Sequence, residues 1–518
     1  MTERSGTAPH NLPLRFPAAI LAAATFAIGA TAQSRPPAAH TNLVIVVDGL
    51  RPDYVTPALM PRLVRLGQRG IVFNAHHSVF PTVTRVNAAS LATGAYPETH
   101  GLLGNNVYVP SVNPARGLDT GSRANLEQIS RAEPPLLTAP SLGEILQQAG
   151  RKILAVGSGT SGAIFLLNHT VGNGTILHHE FTLPSSLASH VLEVLGPPPP
   201  HTLPNAAQNR RAVDAYLKLG LEELHPDVTL MWISDPDTTA HTRGIGAAAT
   251  REALMLADAE IGRIEDTLQA KDLLARTNLI VTADHGFSTH TSALRLESLV
   301  EPFARRLPDG SSDIVVSEGA IYLRPGSTEP AAPRVAAIVA ALQRRPEVGA
   351  IFTRRSARGG PEGTIAGTLS YDIVRWAHAR SGDILVSANW SRDANEAGYE
   401  GTTAQNGTAG HGTSSPYDIR IPLIAAGPDF RERAVSDVPT GNVDLAPTLL
   451  RLLGVPVPTT MTGRVIVEGL REGRGPGSVP VARATETVRT ADGSFELTAH
   501  ISIAAGHHYL DFTEVKRR

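Results

Sequence analysis

The chain has 518 residues, a formal net charge of -2 and no cysteine, with 42% hydrophobic and 18% charged residues. This suits one large α/β domain with insertions, or two ordinary domains, and excludes a disordered or fibrous chain. The near-neutral balance excludes capture of nucleic acid or a membrane surface by bulk charge, and the missing cysteines exclude a disulfide framework and thiolate metal ligation.

At the N-terminus, Arg4 and Arg15 precede an apolar run over 16–28 and the small triplet Ala30-Thr31-Ala32. This is the pattern of a signal peptide over 1–32, cleaved before Gln33. Pro13 and Pro17 argue against a helix that merely packs on the fold. No later stretch approaches the roughly 20 apolar residues of a membrane span, so no stable membrane insertion is expected. Export without cysteines points to a secreted protein of the bacterial periplasm.

After Pro36-Pro37, residues 43–47 form a β-branched apolar run, the pattern of a fully buried strand. Two later runs resemble it. Residues 228–233 lead into Ser234-Asp235-Pro236-Asp237, and residues 279–281 lead into Thr282-Ala283-Asp284-His285-Gly286. Helical patterns over 214–224 and 253–268 separate them, so the expected fold is α/β, with a doubly wound, mostly parallel sheet flanked by helices. Ligands of such sheets bind beyond the carboxyl ends of the strands, where Asp48, Asp237 and Asp284 would lie.

The first part of the catalytic core is read as 41–290. Residues 291–400 have shorter units, a helix near 334–342 and Gly359-Gly360-Pro361 turns, and are read as an inserted subdomain or cap. The core resumes over 401–460, with a strand at 419–426 and a helix at 446–453 stopped by Gly454. Residues 461–518, with alternation over 495–503, are expected to form a small C-terminal β appendage. The proline run 197–200 reads as a stiff surface connector.

Chemistry gathers after the strands. Asp48, Asp237 with His241, the adjacent Asp284-His285, and His411 between Gly410 and Gly412 make three carboxylates and three imidazoles. Oxygen and nitrogen donors without sulfur suit zinc first, then manganese or iron. Six side chains exceed one tetrahedral site that must keep a position open, so two metals follow, able to clamp the attacking and leaving oxygens of an in-line phosphoryl displacement. The nucleophile for such chemistry is Thr84. The stretch Phe80-Pro81-Thr82-Val83-Thr84-Arg85 runs into a helical segment ending at Gly94, which sets Thr84 near a helix N-terminus where free N–H groups favour an anion. A threonine hydroxyl is unreactive at its free pKa and needs a metal to become an alkoxide.

Other residues read as structural. A lone Asp or His after a strand is usually a turn residue, and the weight of these six comes from their number. His100 and His290 are read as supporting hydrogen-bonders. Gly157-Ser158-Gly159 lacks a following lysine and reads as a strand-to-helix turn. The Arg344-Arg345 and Arg354-Arg355 pairs read as solvated faces.

Several segments together resemble one family. The set comprises residues 43–49, the stretch 80–84, Thr93-Gly94-Ala95-Tyr96-Pro97-Glu98-Thr99-His100-Gly101, Pro236-Asp237 with His241, and Ala283-Asp284-His285-Gly286. It is similar to the nucleotide pyrophosphatase/phosphodiesterase branch of the alkaline phosphatase superfamily, over roughly 41–290 and 405–458. The resemblance implies an alkaline phosphatase-like fold and two zinc ions, one on Asp237, His241 and His411 and the other on Asp48, Asp284, His285 and Thr84. It further implies that Asn105 donates its amide to a phosphoryl oxygen, and that a phospho-threonine intermediate forms on Thr84 and is then hydrolysed. The substrate would be a small phosphate ester rather than a nucleic acid polymer.

One position departs from the pattern. Nucleotide-cleaving members tend to carry an aromatic residue after the nucleophile, whereas this chain has Arg85, whose guanidinium can form a bidentate contact with a phosphate or carboxylate of the substrate. Diester or pyrophosphate hydrolysis is the first expectation. A phosphomonoesterase, a carbon-phosphorus hydrolase and a catalytically silent binding protein follow it.

Overall fold

The computed structural model describes His40–Arg518 apart from residues 292–293 and 327–329. The leader expected over 1–32 lies outside the described residues. Among the described residues no helix is long and apolar enough to cross a membrane.

At the centre is a ten-stranded sheet. Its strands run in the order Ala434–Ser436, Ile71–His77, Arg420–Ala426, Thr277–Thr282, Thr41–Val47, Val228–Ile233, Ile153–Gly157, Thr175–His178 and Thr182–Leu183, with Thr440–Gly441 also paired to Ile71–His77. The inner strands are parallel, and Arg420–Ala426 is inserted antiparallel between Thr277–Thr282 and Ile71–His77. Thr41–Val47 pairs Val47 with Ile233 and Val46 with Thr282, so the three acidic strand ends finish level at one edge of the sheet.

The central strand has no polar face. Val44 and Val46 enter one hydrophobic layer, while Leu43, Ile45 and Val47 enter the other. Each such side chain contributes roughly 1.5 to 3 kcal/mol by leaving water. A charge at Val46 would forfeit that and remain unpaired.

Helices cover both faces. The helical pattern over 214–224 is the second half of a longer segment, Ala206–Ala215 continuing in wide π-type turns over Tyr216–Leu224. Its first half buries Gln208 and Asn209 on polar partners, which hides the apolar period. The pattern over 253–268 extends at both ends into Ala248–Ala270.

Among the described residues four smaller sheets accompany the central one, and two of them share a hydrophobic cluster with the core loops. Strands Ile314–Ser317, Ala320–Leu323, Ile384–Ala388, Val348–Thr353 and Leu369–Ser370 make a five-stranded sheet, and the helix Ala331–Gln343 packs on it. Near the C-terminus, Val481–Arg489, Phe495–Ala504 and His507–Arg517 form an antiparallel three-stranded sheet. Phe495, Leu497 and Ala499 share one hydrophobic cluster with Ile321, Ile338 and Phe352, and with Phe80 and Leu103 of the core loops.

Several histidines are buried in the neutral form. His100 lies fully inside the fold, where its Nδ1 accepts from the Leu102 N–H at 3.1 Å and its Nε2 faces the Ser90 hydroxyl at 3.0 Å. Burial pushes His76, His100 and His178 down to about 3. The unfolded chain therefore takes up these protons near pH 6.5 and the folded chain does not, so stability is complete above that pH and falls as pH drops toward 3. Each such histidine costs about 1.4 kcal/mol per pH unit in that window. The unfolding free-energy difference between wild type and His100→Gln should shrink by about 2 kcal/mol between pH 7 and pH 5, measured by urea denaturation. A pH-independent difference would show that His100 protonates freely in the fold.

Candidate active site

Thr84 is the first residue of the helix Thr84–Thr93, entered from Val83 in extended conformation and closed by Gly94 at φ +60°. Nine of its ten residues are buried, so the helix is a rigid platform inside the core, and Arg85 alone reaches partly outward. No side chain of the preceding residue caps it. The Arg85 N–H of the first turn is instead taken by Asn105 Oδ1 at 3.0 Å.

Strand ends supply the carboxylates. Asp48 follows Thr41–Val47, Asp237 opens the helix Asp237–Arg243, and Asp284 and His285 follow Thr277–Thr282. Gly49 sits at φ +72° with space for no side chain, since a Cβ there would lie 3.0 Å from the Cβ of Asp237. That close approach lets the Asp237 N–H reach the Asp48 carbonyl at 3.1 Å. His411 arrives by another route. The chain after His285 forms Ser288–His290, which pairs antiparallel with Ala409–Gly410 and so returns His411 to the sheet edge.

All six expected ligands and Thr84 meet there. Nε2 of His285 lies 3.2 Å from the Thr84 hydroxyl, 2.9 Å from Asp284 Oδ2 and 3.4 Å from Asp48 Oδ1. Around Asp237 Oδ1, Nε2 of His241 lies at 3.2 Å and Nε2 of His411 at 3.4 Å. A tetrahedral metal with bonds of about 2.0 to 2.1 Å sets its ligands roughly 3.3 Å apart, which is the spacing found here.

Donor chemistry fits divalent cations. Asp48 Oδ1, Asp237 Oδ1 and Asp284 Oδ2 are buried and take no hydrogen bond. The opposite oxygens of two of these groups are satisfied, Asp48 Oδ2 by Trp232 Nε1 at 2.8 Å and Asp284 Oδ1 by the Gly49 N–H at 3.1 Å. Each imidazole has its Nδ1 on a backbone carbonyl: His241 on Ala409 at 3.0 Å, His285 on Gly286 at 2.9 Å and His411 on Thr82 at 2.8 Å. Those carbonyls hold the proton on Nδ1, so the Nε2 lone pairs face the cluster.

Electrostatics set the six groups apart. Burial, then the charges of Asp284 and Asp237, pushes the Asp48 carboxyl well above the usual range. Burial also opposes ionisation of Asp237, but His241 and His411 outweigh it and hold its pKa well below the ordinary value. Burial and the neighbouring His285 bring His411 down to about 4. Burial works against charge on His285 as well, yet Asp284 and Asp237 raise its pKa.

Two donor groups overlap among the described residues. The donor atoms of Asp48, Asp284 and His285 lie within 4.8 Å of one another, and so do those of Asp237, His285 and His411. His285 thus belongs to both groups. His241 touches only Asp237 among the carboxylates, with 44% of its side chain exposed at the rim.

Asn105 stands beside the nucleophile position, its Oδ1 accepting from the Arg85 N–H at 3.0 Å. Arg85 directs Nη2 to Asp119 Oδ1 at 3.5 Å, and its buried Nε takes no hydrogen bond. His100 is a structural hydrogen-bonder, as expected. His290 places Nδ1 on the Asn406 carbonyl at 2.9 Å. Trp232 was not singled out from the sequence. A buried indole needs an acceptor, and the Asp48 carboxylate at the neighbouring strand end supplies one.

Comparison with known proteins gives the family and the fold. The model of the type I phosphodiesterase / nucleotide pyrophosphatase family matches residues 42–412. A venom phosphodiesterase of Naja atra is 27% identical over 263 residues, covering 50% of this chain and 28% of the relative. The human ectonucleotide pyrophosphatase/phosphodiesterase family member 1 is 26% identical over 247 residues, covering 47% and 23%. The chain thus spans about a quarter of the length of these curated relatives. Murine ectonucleotide pyrophosphatase/phosphodiesterase 5, solved as an inactive variant with AMP, superposes with TM-score 0.55 at 17% identity over 81% of this chain and 96% of that one. A mutant of the alkaline phosphatase PafA gives TM-score 0.62 at 16% identity over 84% and 99%. The fold is therefore alkaline phosphatase-like, and the chain belongs to the type I phosphodiesterase / nucleotide pyrophosphatase family.

Proposed function

We propose that the chain is an exported, metal-dependent hydrolase of small phosphodiesters or pyrophosphates, with Thr84 as covalent nucleophile. One observation carries this reading: the Thr84 hydroxyl, at the start of a buried helix, lies 3.2 Å from His285 in a cluster of three buried carboxylate oxygens that take no hydrogen bond. The names of the relatives support the reaction class, and the AMP bound to the murine neighbour supports a substrate of nucleotide size. The leader pattern over 1–32 supports action outside the cytoplasm, in a bacterial periplasm.

Asp48, Asp284 and His285 would hold one divalent ion, with Thr84 beside it, and Asp237, His241 and His411 the other, the His285 Nε2 lying within reach of both groups. Zinc suits these donors best. Bound there, the ions supply a lowered pKa for the hydroxyl and positive charge for the departing oxygen. Thr84 Oγ1 attacks phosphorus as its proton is lost, the P–O bond to the leaving group breaks, and a phospho-threonine forms. Water then attacks the same phosphorus, the bond to Oγ1 breaks, and Thr84 regains its hydroxyl. The Asn105 NH2 and the positive end of the Thr84 helix hold the non-bridging oxygens. Arg85 reads a further anionic group of the substrate.

Thr84→Ala is expected to lower hydrolysis of a nitrophenyl phosphodiester by about three orders of magnitude or more while metal content stays intact. Retained turnover would remove Thr84 as nucleophile. Comparing that diester with the nitrophenyl monoester, in wild type and Arg85→Ala, tests the substrate class: the diester should be preferred, and Arg85→Ala should change the ratio. Metal content offers an independent check, because His285 belongs to both donor groups. After dialysis against zinc and elemental analysis, His285→Ala should lose more metal than His241→Ala. Equal losses would show that the groups do not share His285.

A further inference from the structure

The loop carrying Asn105 is gripped from outside the central sheet. Strands Ile314–Ser317 and Ala320–Leu323 pair with Ser317 opposite Ala320, so their hairpin turns on Glu318 and Gly319 alone. Both have positive φ, +47° and +84°. This mirror-image turn suits the twist of the strands, but Gly, Asn or Asp would enter its first position with less strain than Glu.

What glutamate adds is reach. Glu318 is an exposed residue at the tip, yet its Oε2 turns onto the neighbouring loop and accepts from the Asn106 N–H at 2.8 Å. That N–H belongs to the peptide joining Asn105 to Asn106, and the carboxylate also faces the Arg85 charge. Two glycines make room for the hairpin. A Cβ on Gly104 would lie 2.9 Å from Glu318 Oε2, and one on Gly117 would lie 2.3 Å from Ser317 Oγ. Asn105 is held on its other sides as well, its carbonyl by the Thr120 N–H at 2.8 Å and the Thr120 hydroxyl at 2.7 Å, and its Oδ1 by the Arg85 N–H at 3.0 Å. With Oδ1 turned to the Arg85 N–H, the NH2 of the carboxamide is free to donate to a ligand.

We propose that Glu318 is a positioning residue for Asn105, so that the five-stranded sheet completes the phosphoryl-binding site through one hairpin tip. This rests on the reading above that Asn105 contacts the phosphoryl group. A preorganised donor is effective only while its backbone is fixed, and Glu318 fixes the N–H end of the same peptide whose carbonyl Thr120 holds.

Three variants and a double-mutant cycle test this. Glu318→Gly relieves the turn and removes the carboxylate, so its thermal midpoint should equal or exceed that of wild type. Its kcat/KM for the nitrophenyl diester should nevertheless fall about 10- to 100-fold, and its affinity for inorganic phosphate, measured by calorimetry, should fall with it. Glu318→Gln keeps an acceptor and should stay within about threefold of wild type, since the hydrogen bond rather than the charge carries the effect. In an Asn105→Ala background, Glu318→Gly should cost less than about twofold more. A Glu318→Gly enzyme as active as wild type, or losses that multiply in the double variant, would overturn the positioning role while leaving Asn105 in place. A harmless Asn105→Ala would instead overturn the phosphoryl contact, and the positioning role with it.

Discussion

Three carboxylates crowd one buried edge of the central sheet, and the rest of the site answers to that. Asp48, Asp237 and Asp284 each present an oxygen that takes no hydrogen bond, in surroundings where an isolated charge is costly. Such a cluster is stable only with positive charge at its centre, whether imidazolium or metal ion. The opposed pKa directions of Asp48 and Asp237 express the same tension, because Asp237 faces two imidazoles while Asp48 faces other carboxylates.

That arrangement demands rigidity, and the fold supplies it by separate means. Parallel pairing in register makes three strands finish level, so their following residues meet without long loops. Backbone carbonyls fix the imidazole tautomers, and Trp232 orients Asp48. Thr84 stands on a helix with almost no exposed surface, which holds its hydroxyl where the donor atoms converge. Mutual repulsion would otherwise spread these groups apart.

The five-stranded sheet and the C-terminal sheet share a hydrophobic cluster with Phe80 and Leu103. These two residues come from the loops that carry Thr84 and Asn105. Apolar packing outside the central sheet therefore bears on loops within reach of the nucleophile position, and Glu318 adds a polar grip at the same place.

Features written in short stretches of chain were legible in the sequence. Apolar β-branched runs ending in Asp48, in the Asp235–Asp237 segment and in Asp284 announced a parallel sheet with acids at its carboxyl edge, because a strand covered on both faces shows no alternation. A helical segment near Thr84 and ending at Gly94 was also legible locally. The length of the 206–224 helical segment was not, since buried polar residues there break the apolar period. Other features arise only when distant segments meet, and the tertiary structure alone decided them. His285 serves two donor groups because the 288–290 strand pairs with 409–410 and brings His411 against it. Asn105 has a defined orientation because Arg85, Thr120 and Glu318 converge on its loop, the last from 212 residues away along the chain. Hydrogen bonds across such separations leave no periodicity in either partner's own stretch, so they become visible only after the sheets have packed.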